Sequence, residues 1–460
     1  MVFLIFILFL VLRVIPYLSN SVPLGYDPGI YLYTFKKYSE VGFLSFSKLT
    51  DWIVIGLEPG LMAVSRILSI FISPEAYLIP LVIFFCLLLL LAFYLFNKQL
   101  WGKGAALWAA LIMSTSAIQY KAYWYYYIKQ IAASGFLFLT LFYALKKSKW
   151  AIPFSVLVFY FHRPTAALIF GVFLLMIVFD KNNRRYFVGL LTATLVIAGL
   201  YYLPTYEKTV LPLVIPILTG FVPKALGGSM GFPSGSFFDI KEALLLTLPY
   251  LPFFVYGIKK EGMKKKSFLA FFPLFITFVI VIFKFFFYRR FIIFLDLFII
   301  SFAGSGAYKF FLSMKRTNLR AILQVAYVLF LISFISTFVY LSAKSLILED
   351  EFNEVQKFRE VERDAYILVT DERYTPWVYG WSERATIAPG YGEYDIYWTS
   401  EDWNTFWLSG DREKEKELLL QLPKPLYIYS GDRRHLTNYD LGGECFERIN
   451  FRTYKFICDN

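Results

Sequence analysis

Long apolar segments dominate this sequence and limit what the chain can fold into. Runs of about twenty apolar residues recur from Met1 to about Ala343, and each is long enough to cross a lipid bilayer as a helix. Of the 460 residues, 58% are hydrophobic and 17% are charged, whereas about 25% of a soluble domain is charged. The sequence therefore predicts a polytopic membrane protein. The first run has no basic leader and no small-residue cleavage site, so we expect it to be a retained helix.

Short basic clusters separate the apolar runs and predict the orientation of the chain. Lys and Arg in short loops mark the cytoplasmic face of a membrane protein. If all the clusters are cytoplasmic, the N-terminus is inside and the chain crosses the cell membrane about eleven times. The clusters are 97–103, 146–149, 180–185, 259–266 and 315–320. The predicted spans are 2–19, 76–96, 104–119, 131–145, 150–161, 165–179, 186–203, 241–258, 267–285, 291–312 and 321–343.

The charge balance reverses near Leu346. The preceding residues contain 32 Lys and Arg against 11 Asp and Glu, and the remainder contains 14 against 23. We therefore predict an all-α membrane bundle, residues 1–345, with a long first outer loop at 20–75, and an extracytoplasmic α/β domain, residues 346–460. The basic loops of the bundle explain its positive charge better than a nucleic-acid partner does.

The tail alternates between helical and strand patterns. Helical periodicity predicts two helices, and β-branched and aromatic runs predict four strands. Cys445 and Cys458 would lie in an oxidising compartment, where they could form a disulfide. The predicted helices are 349–364 and 411–422, and the predicted strands are 365–371, 384–390, 425–431 and 451–458.

An acidic turn opens the first outer loop. Asp27 precedes Pro28 and Gly29, residues that favour a tight turn, and Tyr31 follows at interfacial depth. Residues 57–72, which include Glu58, have one apolar and one polar helical face, and so predict a helix in the membrane interface. That helix either lines a lipid-headgroup site or only packs against the bundle.

Basic residues also lie at predicted outer ends of spans. Lys284, Arg289 and Arg290 follow a run of aromatic residues, and His162 and Arg163 precede a proline that breaks a helix. Arginine's planar fork suits phosphate oxygens. Alternatively, these basic side chains only extend toward the lipid headgroups, and His162 only caps a turn.

Two further residues, Lys129 and Asp296, are candidates for the functional site. Lys129 ends a second outer loop, 119–130, whose aromatic residues suit sugar rings or form an ordinary interfacial belt. Asp296 lies inside the tenth predicted span, where a carboxylate is costly and needs a partner. We expect it to support one of the arginines or Lys284.

This layout resembles the GT-C superfamily of membrane glycosyltransferases, which includes protein O-mannosyltransferases, aminoarabinose transferases and oligosaccharyltransferase catalytic subunits. The resemblance covers the membrane part, through short motifs. It implies a sugar donor on a polyprenyl (dolichyl) phosphate or diphosphate and inverting transfer on the extracytoplasmic side. The motifs are GYDPGIYLY (25–33), LEPGLMAVSRILSI (57–70), LFNKQLWGKGAALWAALIMSTSAIQY (95–120), FHRPTAAL (161–168) and YRRFIIFLDLFIISFAGSG (288–306).

By this resemblance Asp27 takes the position of the catalytic acidic residue, as the base that deprotonates an acceptor hydroxyl. Many members carry a second acidic residue in the second outer loop, but residues 119–130 contain no Asp or Glu. The sequence therefore favours chemistry without a metal, although a divalent ion is an alternative. The acceptor, whether protein, lipid or glycan, is not specified.

Other classes of function remain open. A transporter or flippase for a lipid-linked or small substrate predicts internal repeats and broken helices with polar groups near mid-membrane. We find no internal repeat, and few charges occur in the spans, which favours an enzyme. A membrane scaffold whose tail binds a partner is a third alternative. No nucleotide-binding glycine motif occurs, so a cytoplasmic nucleotide-sugar donor is not expected.

Overall fold

The chain divides into two compact units. The computed structural model describes residues 2–40, 58–211, 214–215, 237–262, 264–388, 397–432 and 444–458. The predicted domain limits, 1–345 and 346–460, stay a prediction. The helical unit comprises the described residues of Met1–Leu18, Ile55–Ile67 and Ile79–Lys344, and the mixed unit those of Ser19–Val54, Leu68–Leu78 and Ser345–Asn460.

The helical unit follows the apolar runs of the sequence. Among the described residues, six helices are long and apolar enough to cross a membrane, and the expected number of about eleven spans stays a prediction. The six are Pro74–Trp101, Ile128–Leu145, Arg184–Tyr202, Lys265–Ile282, Tyr288–Ser313 and Thr317–Ser342. Its helices are α1 Val2–Leu18, α3 Pro59–Leu68, α4 Pro74–Trp101, α5 Lys103–Ser114, α6 Ala117–Trp124, α7 Ile128–Leu145, α8 Ala151–Phe161, α9 Arg163–Phe179, α10 Arg184–Tyr202, α11 Tyr206–Thr209, α12 Ile240–Thr247, α13 Leu251–Glu261, α14 Phe268–Ile282, α15 Tyr288–Ser313 and α16 Thr317–Ser342, where α3 and α4 also reach into the mixed unit.

Two predicted spans are interrupted for local reasons. The span 104–119 is divided into α5 and α6, because Ser116 leaves the helical conformation and its side chain caps Gln119 N–H at 3.3 Å. The span 241–258 is divided into α12 and α13 around Tyr250, ahead of a proline in the first turn of α13. Where one helix ends and another begins, backbone groups lack helical partners and polar side chains can pair with them. Both breaks can therefore carry polar side chains that point into the helical unit.

Glycines allow helices of the helical unit to touch backbone to backbone. A Cβ at Gly257 of α13 would lie 2.1 Å from the Phe302 carbonyl of α15. On another face of α15, a Cβ at Gly304 would lie 2.6 Å from the Ala109 nitrogen of α5. Small residues at such crossings are typical of membrane helix packing. They hold α15 rigidly between two neighbours.

The mixed unit contains a five-stranded sheet of order β2-β1-β3-β5-β4. Strand β1 pairs in parallel with β2 and β3, and β5 is antiparallel to β3 and β4. The four predicted strands are present, whereas the three-residue β4 is too short to show an alternating pattern. Its helices are α17 Glu349–Lys357, α18 Thr375–Trp381, α19 Ser400–Leu408 and α20 Arg412–Leu420, and its strands are β1 Tyr366–Val369, β2 Ala385–Ile387, β3 Leu426–Tyr429, β4 Phe446–Arg448 and β5 Thr453–Phe456.

The acidic turn of the first outer loop belongs to this mixed unit. A helix that the sequence did not indicate, α2 Pro28–Glu40, begins directly after Asp27. It packs on α18 so closely that a Cβ at Gly29 would lie 1.7 Å from the Pro376 carbonyl oxygen. The glycine of the turn is therefore required by helix packing. Residues 41–57 of this predicted loop lie outside the described residues.

Candidate functional site

Asp27 is held at the start of α2. Its carbonyl oxygen accepts the Tyr31 N–H at 3.1 Å, and its side chain is half-buried. The preceding Tyr26 donates its hydroxyl to the Glu372 carbonyl at 2.8 Å, and Gly25 has a positive φ of 88°. Contacts on both sides of Asp27 therefore set the conformation of the turn. A side chain whose backbone is fixed in this way loses little conformational entropy when it forms a new contact.

A buried carboxylate in the helical unit gathers basic residues from distant parts of the chain. Glu58, 3% exposed, forms ion pairs with Lys129 Nζ at 2.8 Å and with Arg163 Nε at 3.4 Å. Lys129 lies at the start of α7, and Arg163 at the start of α9. Arg163 also donates to the Thr209 carbonyl. Three helix starts therefore meet at one carboxylate.

Two further predicted residues complete this cationic cluster, defined as Glu58, Lys129, His162, Arg163 and Arg290. The buried His162 ring pairs through Nδ1 with the Thr165 hydroxyl at 2.8 Å. The Arg290 guanidinium lies 4.2 Å from the centre of the Tyr127 ring, which is the distance of a cation–π contact. Arg290 and Lys129 both act electrostatically on His162.

The electrostatics of the cationic cluster favour an anion. Burial raises the pKa of Glu58, but Lys129 and Arg163 outweigh burial and lower that pKa to about 2. Burial, together with nearby cations, lowers the pKa of His162 to about 3, so the imidazole is neutral near pH 7. The cluster thus contains one carboxylate, Glu58, and three cations, which are Lys129, Arg163 and Arg290. Its net positive charge, in partly buried surroundings, suits a phosphate group.

Three other predicted site residues lie elsewhere. Arg289 contacts the Tyr288 hydroxyl through Nε at 3.3 Å, and Lys284 is exposed, with a positive φ of 52°. Tyr31 is 6% exposed and packs in the mixed unit at 6.0 Å from Phe35. These three residues are not members of the cationic cluster.

Asp296 has neutral hydrogen-bond partners, which differ from the basic ones that its sequence position suggested. Ser116 and Gln119 of the α5–α6 break donate to Oδ2, each at 2.8 Å. The Tyr250 hydroxyl of the α12–α13 break donates to Oδ1. Gln119 also donates to the Ile293 carbonyl at 3.0 Å. Asp296 therefore joins the two helix breaks to α15 and does not orient Arg290 or Lys284.

The side chains of the described ranges offer no metal site. Within those ranges, no three His, Cys, Asp or Glu side chains come together in a way that could hold a metal ion. In the cationic cluster, the only carboxylate is already paired with Lys129 and Arg163. The donor set does not fit a divalent ion, and we derive no step through one.

The mixed unit contains a disulfide between Cys445 and Cys458. It joins the residue before β4 to a residue shortly after β5. Cys86 on α4 is buried in the helical unit and is a free thiol. The disulfide links the edge strand β4 to its neighbour β5.

The sequence interpretation missed two contributors. Tyr127 supports the Arg290 guanidinium, and its only sequence signal is its place in an aromatic run. Arg13 is 1% exposed within α1, with its guanidinium 3.4 Å from the Phe9 ring centre. The sequence signal for Arg13, which is not a member of the cationic cluster, is that it is a single charge inside the first apolar run.

Comparison with known proteins identifies the fold. No family model and no curated protein matches the sequence. The structure is similar to the oligosaccharyltransferase AglB from Archaeoglobus fulgidus, in complex with an inhibitory peptide and a dolichol-phosphate. The TM-score is 0.63 at 12% identity, over 93% of this chain and 68% of AglB.

The structure is also similar to ArnT from Cupriavidus metallidurans bound to undecaprenyl phosphate. The TM-score is 0.59 at 13% identity, over 99% of this chain and 96% of ArnT. Both proteins are GT-C glycosyltransferases. At such identities the likeness concerns the fold. The resemblance seen in the sequence motifs is confirmed at that level: this chain has the GT-C fold.

Proposed function

We propose that this protein is an integral membrane glycosyltransferase that moves a sugar from a polyprenyl-phosphate carrier to an acceptor. The observation that carries the proposal is the cationic cluster, where Lys129 and Arg163 pair with Glu58 and Arg290 acts electrostatically on Lys129, in a chain with the GT-C fold. Such a buried cluster of cations at the ends of the apolar helices is costly unless it serves an anion.

Lipid phosphate is the anion that best matches this setting. The AglB structure contains a dolichol-phosphate, and the ArnT structure an undecaprenyl phosphate. Arg163 and Arg290 would bind the phosphate oxygens, and Lys129 would add a point charge. Glu58 keeps the cations in place and partly neutralises them when the site is empty.

Asp27 is the proposed base. The acceptor hydroxyl gives its proton to the Asp27 carboxylate while its oxygen forms a bond with the anomeric carbon of the sugar. The bond between that carbon and the phosphate oxygen breaks, and its electron pair leaves with the polyprenyl phosphate. Attack opposite the leaving group inverts the anomeric configuration. General base catalysis of this kind contributes about 10²- to 10⁴-fold, and cations at the leaving phosphate lower the barrier further.

The proposal is tested with purified full-length protein in lipid nanodiscs. A panel of polyprenyl-phosphate sugars is supplied, and sugar release or transfer is measured for wild type and for Asp27→Asn. We expect turnover to fall about 10²-fold or more, while binding of the donor is retained. Donor binding without turnover in either protein would favour the transporter or flippase class instead.

Two adjacent arginines provide a matched test of the phosphate site. Arg290→Ala should weaken polyprenyl-phosphate binding about tenfold or more, because a charge-assisted hydrogen bond is lost. Arg289→Ala should leave binding nearly unchanged, since that side chain contacts Tyr288. Equal effects of the two substitutions, or no binding of polyprenyl phosphate by wild type, would refute the assignment.

A further inference from the structure

A cavity lined mainly by aromatic side chains lies in the helical unit, outside the cationic cluster. Its volume is about 230 Å³, which is smaller than the sites that hold drug-sized ligands. It lies between α6, the segment before α12, and the last turns of α16. Its lining residues are Tyr120, Lys121, Trp124, Tyr125, Phe238, Phe338 and Ser342.

Two hydrogen-bond donors at this cavity have no acceptor in the described part of the chain. The Tyr120 hydroxyl and the Trp124 indole nitrogen are both buried, in residues that are 1% and 8% exposed. A buried polar group without a partner costs about 1–3 kcal/mol. Both residues line the cavity, so a turn of each side chain toward it would let a ligand with acceptor oxygens remove these costs.

The same cavity contains a cation. Lys121 Nζ lies 3.5 Å from the centre of the Phe238 ring and 5.2 Å from that of Tyr125. Burial lowers the pKa of the Lys121 ammonium, and Glu242 acts on it only as a more distant opposing charge. In the described ranges, no carboxylate lies within ion-pair distance of Lys121. The cavity therefore combines aromatic faces, two unused donors and one partly desolvated positive charge.

The cavity is next to the cationic cluster. Tyr125, which lines the cavity, is 5.7 Å from Tyr127 between ring centres. The Arg290 guanidinium lies 4.2 Å from the Tyr127 ring centre. One tyrosine thus separates the cavity from the proposed phosphate site, so a sugar attached to a phosphate would have both sites within reach.

We infer that this cavity binds the donor sugar, and that this sugar carries a carboxylate, as a uronic acid does. The aromatic rings would face the C–H patches of the sugar ring. Tyr120 and Trp124 would donate to its oxygens, and Lys121 would pair with the carboxylate. A neutral sugar would leave the Lys121 charge without a counterion. This inference rests on the proposed function, because it names the class of sugar at that site.

The test compares two matched ligands on wild-type protein in nanodiscs. Binding of methyl glucuronide and methyl glucoside is measured by saturation-transfer NMR titration. We expect the glucuronide to bind about tenfold more tightly, as one charge-assisted hydrogen bond implies. Equal binding of the two ligands, or tighter binding of the glucoside, would overturn the inference without any variant.

Variants then test whether the difference in affinity between the two ligands arises in the cavity. Lys121→Met should abolish the preference for the glucuronide, and Trp124→Phe should weaken both ligands by removing the N–H while keeping an aromatic ring. Lys146→Met is the control, because Lys146 makes a similar contact, 4.1 Å from the Phe142 ring centre, far from the cavity in sequence. A preference that survives Lys121→Met would place the sugar elsewhere.

Polyprenyl-phosphate binding is measured in the same preparations. If Arg290→Ala weakens it while the two sugars bind alike, the proposed function holds and the sugar inference fails. If wild type binds neither polyprenyl phosphate nor sugar, both fail. Should Lys121→Met not fold, Lys121→Gln takes its place, and the comparison of ligands on wild type decides in either case.

Discussion

The Glu58 carboxylate is surrounded by cations that come from two other parts of the chain. Lys129 and Arg163 reach it at 2.8 Å and 3.4 Å, and all three side chains lose water in the process. A buried ion pair of this kind adds little net stability. Removing one partner of the pair, however, leaves the other charge buried and unpaired. A substitution of Glu58 therefore tests how far this ion pair contributes to the stability of the helical unit.

We expect Glu58→Gln to lower the free energy of unfolding by about 3–5 kcal/mol, because Lys129 and Arg163 would remain buried without their counterion. The measurement is thermal or denaturant unfolding of the full chain in detergent. Glu40→Gln is the control, since Glu40 is exposed and its pair with Lys37 at 3.4 Å lies at the surface. A loss below about 1 kcal/mol for Glu58→Gln, as for a surface pair, would contradict the prediction.

The same residue predicts a dependence on pH. Because the cations hold the Glu58 pKa at about 2, below the ordinary value of about 4.3, its contribution is complete above the ordinary pKa. It is lost as the pH falls through about 2. The difference in stability between wild type and Glu58→Gln should therefore shrink between about pH 4 and pH 2. Unfolding curves over this range measure it, and a difference that grows on acidification would contradict the assignment.

In the mixed unit, Arg452 has the opposite arrangement, one cation among carboxylates. It pairs with Asp350 at 2.7 Å, Glu354 at 2.9 Å and Asp432 at 2.8 Å, and its side chain is 7% exposed. Arg452→Met should cost about 3–5 kcal/mol, because the carboxylates would repel one another. Arg448→Met on the neighbouring strand is the control, since Arg448 donates only to backbone carbonyls at the surface. Similar denaturation midpoints for the two variants would argue against the network.

At the level of secondary structure, helix α2 depends on how closely it meets α18. A Cβ at Gly29 would lie 1.7 Å from the Pro376 oxygen, and one at Gly380 would lie 2.6 Å from the Gly29 Cα. Both collisions involve backbone atoms, which cannot move aside as a flexible side chain can. The turn at Asp27 with helix α2 and the helix α18 therefore pack closely against each other within the mixed unit.

Gly29→Ala should destabilise the mixed unit by about 1–3 kcal/mol or more, the usual range for overpacking. It should also reduce sugar transfer, because Asp27 lies two residues before the collision. Gly189→Ala on α10 is the matched control, since a Cβ there meets nothing within 4 Å and alanine favours a helix. Thermal unfolding and turnover are compared, and equal behaviour of the two variants would show that α2 and α18 do not need this contact.

For the whole molecule, the distribution of charge predicts which side each part faces. The basic loops should be cytoplasmic and the acidic tail outside. Glu417→Cys in the tail should react with an impermeant maleimide in intact cells, and Lys149→Cys only after lysis. The background is low, because Cys86 is buried and Cys445 is joined to Cys458. The reverse labelling pattern would invert the topology.

Much of the helical unit could be predicted from local sequence. Each predicted span overlaps an observed helix, since a run of about twenty apolar residues has few alternatives in a bilayer. The break at His162 was also predictable, because Pro164 lacks an N–H and suits the first turn of a new helix. By contrast, α2, α18 and β4 have short or mixed patterns that become regular only through contacts with their partners.

The candidate site shows the limit of such reasoning. The sequence indicated Glu58, Lys129, Arg163 and Arg290 as separate candidates, but Glu58 and Arg163 are 105 residues apart, and only the packing of α7 and α9 brings them together. Neighbouring residues on a helix point about 100° apart, so the choice between Arg289 and Arg290 depended on which face of α15 meets Tyr127.

The sequence by itself thus determined the fold class, the positions of the apolar helices and the residue types that form the cationic cluster. These follow from local hydropathy, charge and proline, which act over a few residues. The tertiary structure decided which of these residues meet, that neutral donors satisfy Asp296, and that the Asp27 turn packs with the tail. The physical reason is that hydrogen bonds and ion pairs form between atoms a few ångströms apart, whatever their separation along the chain.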